Sequence, residues 1–100
     1  MVTAGADHIR AFFEYLSAER RASPHTIAAY EDDLRDYVGF LQGTGRAITA
    51  VDHLVVRSFL GSLVERGFSK RSVARKLACL RSFYKFLRRR GVVDLRSQTG

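Results

Sequence analysis

Residues 69–91 read SKRSVARKLACLRSFYKFLRRRG. Val73, Leu77, Leu80, Tyr84 and Leu87 recur at spacings of four, three, four and three, the repeat of one buried face on an α-helix. Ser69 is a favoured N-cap residue, and Gly91 supplies the left-handed stop that follows many helices. The spacing therefore predicts a long helix from just after Ser69 to about Arg90, with its seam turned to a core.

The same signals upstream divide the rest of the chain into three further helical stretches. Near Asp7 to Arg20, Ile9, Phe12, Phe13 and Leu16 form an amphipathic stripe. The second stretch opens at Ser23-Pro24, a cap followed by a proline tolerated at the first helical position. Ile27, Tyr30, Leu34, Tyr37, Val38 and Leu41 make its apolar face, and Gly43-Thr44-Gly45 stops it. Thr49 opens the third, with Asp52 three residues on at the positive end of the dipole, and Gly67 ends it. Its apolar set (Leu54, Val55, Val56, Phe59, Leu60, Leu63, Val64) is too broad for one stripe, which predicts a central helix. No β pattern competes, since Val92-Val93 is too short and nothing else alternates. The fold class is all-α.

Of the 100 residues, 46% are apolar and 27% charged, the composition of a globular domain rather than a disordered one. The single cysteine, Cys79, excludes an internal disulfide and points to a reducing, cytoplasmic setting. There is no apolar run of about 18 residues and no basic-then-apolar N-terminus, so neither a membrane span nor a secretory signal is expected.

Charge is segregated along the chain. Residues 1–65 carry six basic and nine acidic side chains, a balance of −3, whereas residues 66–100 carry eleven basic ones and a single acid, Asp94, a balance of +10. A solvated surface mixes its signs, so this division points to a polyanionic partner. An interfacial membrane helix would need a bulky apolar face left free for lipid, and here that face is needed for the core. Nucleic acid fits better. The plain alternative is a basic face kept for solubility.

On a helical wheel at about 100° per residue, Arg71, Arg75, Ser82 and Arg89 fall on the flank opposite the seam, with Ser72 and Cys79 beside them. Guanidinium groups one turn apart can straddle phosphates or fork onto guanine in a major groove. Arg88-Arg89-Arg90 also suit the negative end of the helix dipole without any ligand. The starts Ser23-Pro24-His25-Thr26 and Ser69-Lys70-Arg71-Ser72 share a serine cap and a second hydroxyl three residues later. Such starts offer N–H groups to phosphate, although serines cap helices in any case. Phe83, Tyr84 and Phe86 read as packing residues rather than base-stacking platforms; Phe86 falls on the polar side, which calls for contact with the first helix or the tail.

The motif Ser23-x-x-Thr26-x-x-x-Tyr30-x-x-Asp33-Leu34 followed by Phe40-Leu41 resembles the start of the core-binding domain of tyrosine recombinases. The run Ser69-x-x-Ser72-x-x-Arg75-x-Leu77-x-x-Leu80-Arg81-x-Phe83-Tyr84-x-Phe86-Leu87, then Gly91, is similar to that domain's last long helix. The resemblance covers about residues 7–93 and is nearest to the Xer and phage-integrase branch. It implies a SAM-like, orthogonal four-helix bundle over residues 1–93, with residues 94–100 starting an interdomain linker or tail. It also implies that the second and fourth helices grip duplex DNA as half of a clamp. By position, His25, Thr26, Ala28 and Ala29 would face DNA from the second helix; Arg71, Ser72, Arg75 and Cys79 would do so from the fourth, with Lys70 and Lys76 in the same set. Arg81 matches the family pattern but lies near the seam, where it would support structure.

The family's catalytic half carries a tyrosine nucleophile, phosphate-clamping arginines and a His-x-x-Arg motif, a set suited to attack on a phosphodiester. None of His8, His25 and His53 has an arginine three residues later, and Tyr15, Tyr30, Tyr37 and Tyr84 all read as packing residues. The chain is therefore expected to bind without catalysing, and to need neither metal nor cofactor. The implied partners are double-stranded DNA, a C-terminal catalytic domain in the parent protein, and recombinase protomers assembled on DNA. Two other readings of the residues stay open. Glu65 to Leu77 also resembles the turn and recognition helix of a helix-turn-helix regulator, and the basic face also suits a module that binds an acidic protein.

Overall fold

Serine caps start two of the helices as the sequence predicts, and an aspartate starts a third one where a threonine was expected. The computed structural model describes residues 4–92, with side chains from Ala6 onward. Its helices are α1 (Ala4–Ala18), α2 (Pro24–Thr44), α3 (His53–Glu65) and α4 (Lys70–Arg89), and no strand occurs among the described residues. The expected tail at 94–100 and the limits of a 1–93 domain lie outside the described residues.

Ser23 and Ser69 take nearly identical cap conformations, φ −69°, ψ 157° and φ −70°, ψ 160°, and each accepts a hydrogen bond from the backbone N–H three residues on. The expected cap at Thr49 is not used. Asp52 caps α3 instead, its Oδ1 accepting from the N–H groups of Leu54 and Val55, both at 3.1 Å. A carboxylate next to the first helical turn meets two donors and the positive dipole end, a stronger combination than a hydroxyl four residues short of the helix. The segment freed by this shift folds inward, burying Ile48 and Val51.

α3 and α4 end alike. Gly67 and Gly91 have φ of 88° and 72°, and the next residue's N–H (Phe68, Val92) returns to a helix carbonyl at 3.0 Å. These left-handed positions suit glycine because it has no Cβ to clash. The turn after Gly67 is short, so it delivers α4 directly against α3.

α3 is not the central helix that its broad apolar set predicts. Leu54 and Val64 are 57% and 65% exposed, and only Val55, Phe59 and Leu63 are buried. The centre is α4, which packs against each of the other three helices. Its Phe83 and Phe86 meet Phe12 of α1, with ring centroids at 5.3 and 5.6 Å. Phe86 also lies 5.0 Å from Tyr15, which accounts for an aromatic on the polar side of the wheel. Each such pair adds about 0.5–1.5 kcal/mol beyond the area it buries. On the other side of α4, the Tyr84 hydroxyl donates to the carbonyl of Ile48 and shares a hydrogen bond with Tyr37, both at 2.8 Å. Burial pushes the Tyr37 phenol up to about 12 and raises Tyr84 as well. Both phenols are thus placed as neutral packing groups with satisfied oxygens.

Candidate nucleic-acid interface

The two serine-capped starts are built from the same parts. In each, the cap hydroxyl accepts from the N–H of the hydroxyl residue three on at 3.1 Å, and the two hydroxyls bond each other, at 3.1 Å for Ser23–Thr26 and 3.2 Å for Ser69–Ser72. Pre-set hydroxyls, first-turn N–H groups and the positive dipole end together form an environment that suits phosphate oxygens.

A buried cluster of charge fixes one start relative to the other. Asp33 of α2 is 1% exposed, yet its carboxylate accepts three hydrogen bonds from α4. Arg75 forks onto it through Nε at 3.1 Å and Nη2 at 2.7 Å, and Lys76 Nζ adds a third contact at 3.0 Å. Lys76 also reaches Asp36 at 3.4 Å, and Asp36 is met at 3.2 Å by Arg66 from the turn before α4. Two carboxylates and three cations thus bolt the first half of α4 to the middle of α2, with no side-chain polar atom left unsatisfied among the described buried residues. In a low-dielectric setting such a bidentate pair fixes angle as well as distance.

This cluster revises the expected set of contact residues. Lys76 is 4% exposed, its ammonium enclosed by Asp33 and Asp36 and stacked over the Phe68 ring, so it has no surface to offer. Cys79 is fully buried beneath α2, its Sγ 3.9 Å from the carbonyl of Tyr30. Burial, and next the nearby Asp33 charge, push its thiol up to about 12. Neither side chain can touch DNA. Arg75 is divided: its inner edge is committed to Asp33, whose hydrogen bonds raise its pKa, while 44% of its side chain remains exposed. His25, Thr26, Ala28, Lys70 and Arg71 lie exposed, and Ala29 and Ser72 are half-buried. Arg81, expected near the seam, is exposed along a groove between α3 and α4.

Asp33 is the residue that the sequence reading quoted without a role. The available signal was its place among Tyr30, Leu34 and Tyr37 on the apolar face of α2, where a carboxylate needs a buried partner. The outer surface left by this arrangement is basic on α4 and small or polar on α2, a combination that admits close approach of a phosphate backbone. No described helix is long and apolar enough to cross a membrane.

Comparison with known proteins gives a consistent result. Residues 9–91 match the family described as phage integrase, N-terminal SAM-like domain. The tyrosine recombinase XerC of Oceanobacillus iheyensis is 47% identical over 88 residues, which is 87% of this chain and 29% of that protein. The tyrosine recombinase XerD of Rhizobium meliloti is 41% identical over 92 residues, 92% of this chain and 30% of its own length. XerC of Pelobacter propionicus is 47% identical over 91 residues, 88% of this chain and 30% of that protein. The chain thus spans about three-tenths of the length of these relatives. No solved structure matches it. With the family pattern covering most of the chain and four helices in place, this chain belongs to the phage integrase N-terminal SAM-like domain family.

Proposed function

We propose that this chain is the DNA-gripping, non-catalytic domain of a site-specific tyrosine recombinase, and that it holds duplex DNA through α2 and α4. The observation that carries the reading is the pair of matched helix starts, locked together by Asp33 and Arg75 under a basic outer surface. His25, Thr26 and Ala28 with the backbone near Ala29 form the α2 contact; Lys70, Arg71, Ser72 and the outer edge of Arg75 form the α4 contact. The small residues let the α2 backbone come close to the duplex, and Arg71 and Arg75, one turn apart, supply charge and forked donors. The relatives' names, tyrosine recombinase XerC and XerD, supply the reaction context. In this reading strand cleavage belongs to a catalytic domain joined C-terminally in the parent protein. Protomers then assemble on DNA in the cytoplasm, with no cofactor held by this domain.

Duplex binding measured against ionic strength tests the proposal. Contact with about six phosphates predicts a log–log slope near −5 through counterion release. A flat response would remove DNA as the partner. A two-fold symmetric footprint from a dimer would instead favour a helix-turn-helix regulator.

A further inference from the structure

The basic flank of α4 continues past Arg75 into a cleft of about 360 Å³ between the end of α1, the start of α2 and the C-terminal half of α4. Arg20 reaches it from the α1–α2 connection, Thr26 and Tyr30 from α2, and Ser82, Lys85 and Arg89 from α4. Three cations and four hydroxyls share the cleft, Tyr15 adding the fourth, and none of its lining residues is a carboxylate. The contrast with the Asp33 cluster is direct. There every cation has an acid beside it; here Arg20, Lys85 and Arg89 form no ion pair among the described residues.

The side chains are also arranged before any ligand arrives. Arg20 Nη1 lies 3.5 Å from the Tyr15 hydroxyl, an interaction that raises the guanidinium's pKa. The hydroxyl residues Tyr30 of α2 and Ser82 of α4 both line the cleft. The connection that brings Arg20 in passes through Arg21 at φ 52°, a left-handed conformation that non-glycine residues seldom adopt. Gathered like charges without a counter-ion repel one another, and an anion in the cleft relieves that repulsion.

We infer that this cleft holds a backbone phosphate of duplex DNA, further along α4 than the stretch gripped at the two helix starts. Thr26 belongs to both places, so the cleft is continuous with the proposed interface. A helix rises about 1.5 Å per residue, so Arg89 stands some 27 Å from Arg71, a separation that reaches a different part of the duplex backbone. The inference rests on the reading of the chain as a DNA-gripping domain.

The test is anisotropy of a labelled 30-base-pair duplex, titrated with the full 100-residue chain across a KCl series. Arg20→Ala/Lys85→Ala/Arg89→Ala changes only exposed side chains, and helicity with the thermal midpoint verifies that the fold persists. Its expected slope is shallower than wild type by about 1–2, with affinity down about tenfold or more near 0.1 M salt. Arg57→Ala/Arg81→Ala/Arg88→Ala removes equal charge from the groove between α3 and α4, and should change the slope by less than about 0.5. Tyr30→Phe with Ser82→Ala keeps the charge and should weaken binding about three- to fivefold at an unchanged slope.

Equal losses in the two triple variants, or none in the first, would overturn the cleft while leaving the DNA reading intact. A wild type that binds without salt dependence would overturn both. Inorganic phosphate at constant ionic strength separates a duplex site from a free-phosphate site. If millimolar phosphate raises the wild-type thermal midpoint but not the cleft variant's, while the variant keeps wild-type duplex affinity, the duplex assignment fails; the expected result is that the variant loses duplex affinity.

Discussion

At Asp33 one carboxylate, almost wholly out of water, serves two cations on the neighbouring helix. Its removal leaves Lys76 buried with Asp36 alone and frees Arg75 from its fixed orientation. Asp33→Ala should therefore destabilise the domain by about 3–5 kcal/mol in urea denaturation, the cost of an uncompensated buried charge. Asp33→Asn, which keeps an accepting oxygen, should lose less. Cys79 gives a second residue-level prediction. Its thiol is raised from 9.0 to about 12 and the Tyr37 phenol from 10.0 to about 12. Folding thus holds protons that the unfolded chain would release. The stability from both groups is intact below about pH 9 and is lost as pH rises through 12. Urea midpoints measured from pH 8 to 11 should fall, and in Cys79→Ala the decline should begin about one unit later, where tyrosine alone contributes. Iodoacetamide at pH 8 should leave Cys79 unmodified in the native protein and alkylate it in urea. The wheel had placed Cys79 beside an outer flank, and Lys76 had joined the expected DNA-contacting set. A wheel sees one helix, and the covering of that flank by α2 was legible only through Asp33, a charge set in an apolar stripe.

Among the elements, α2 and α4 were legible in detail because local chemistry determines their ends. Ser23-Pro24 and Ser69 act on the backbone within three residues, so no distant contact can mask them. The start of α3 was misread for the complementary reason. Thr49 and Asp52 are both capping residues by type, and tertiary burial of Ile48 and Val51 chose between them. The centrality of α4 was hidden too, because apolar breadth in α3 outlines a core face without saying what covers it. The caps themselves are testable. Ser23→Ala and Ser69→Ala should each cost about 1 kcal/mol in stability. The two cap separate helices and share no hydrogen bond, so the double variant should lose about the sum. If each hydroxyl also shapes a phosphate site, duplex affinity should fall in both variants by more than in Asp52→Ala, whose cap lies on α3. Equal effects on binding in all three would confine the serines to capping.

For the molecule as a whole, the division of charge becomes a division of labour. The mostly acidic first 65 residues supply the carboxylates that anchor α4, and the basic last third supplies the surface that remains. A net charge of +7 on 100 residues leaves the folded domain under self-repulsion that salt screens. The free chain should therefore melt at a higher temperature as KCl is added. Duplex DNA should reverse that dependence. A ligand at 100 times its Kd that binds only the native state adds about 2.7 kcal/mol. For a domain of this size 1 kcal/mol moves the midpoint about 4–8 °C, so a saturating duplex at low salt should raise Tm by about 10–20 °C. Added KCl weakens the complex through counterion release, so the melting temperature with DNA should fall toward that of the free chain, which meanwhile rises. Differential scanning fluorimetry at roughly 0.05, 0.2 and 0.5 M KCl reads both curves at once. Convergence from opposite sides is the signature of a polyanion bound to the native basic surface, whereas parallel curves would mean that duplex DNA does not engage it.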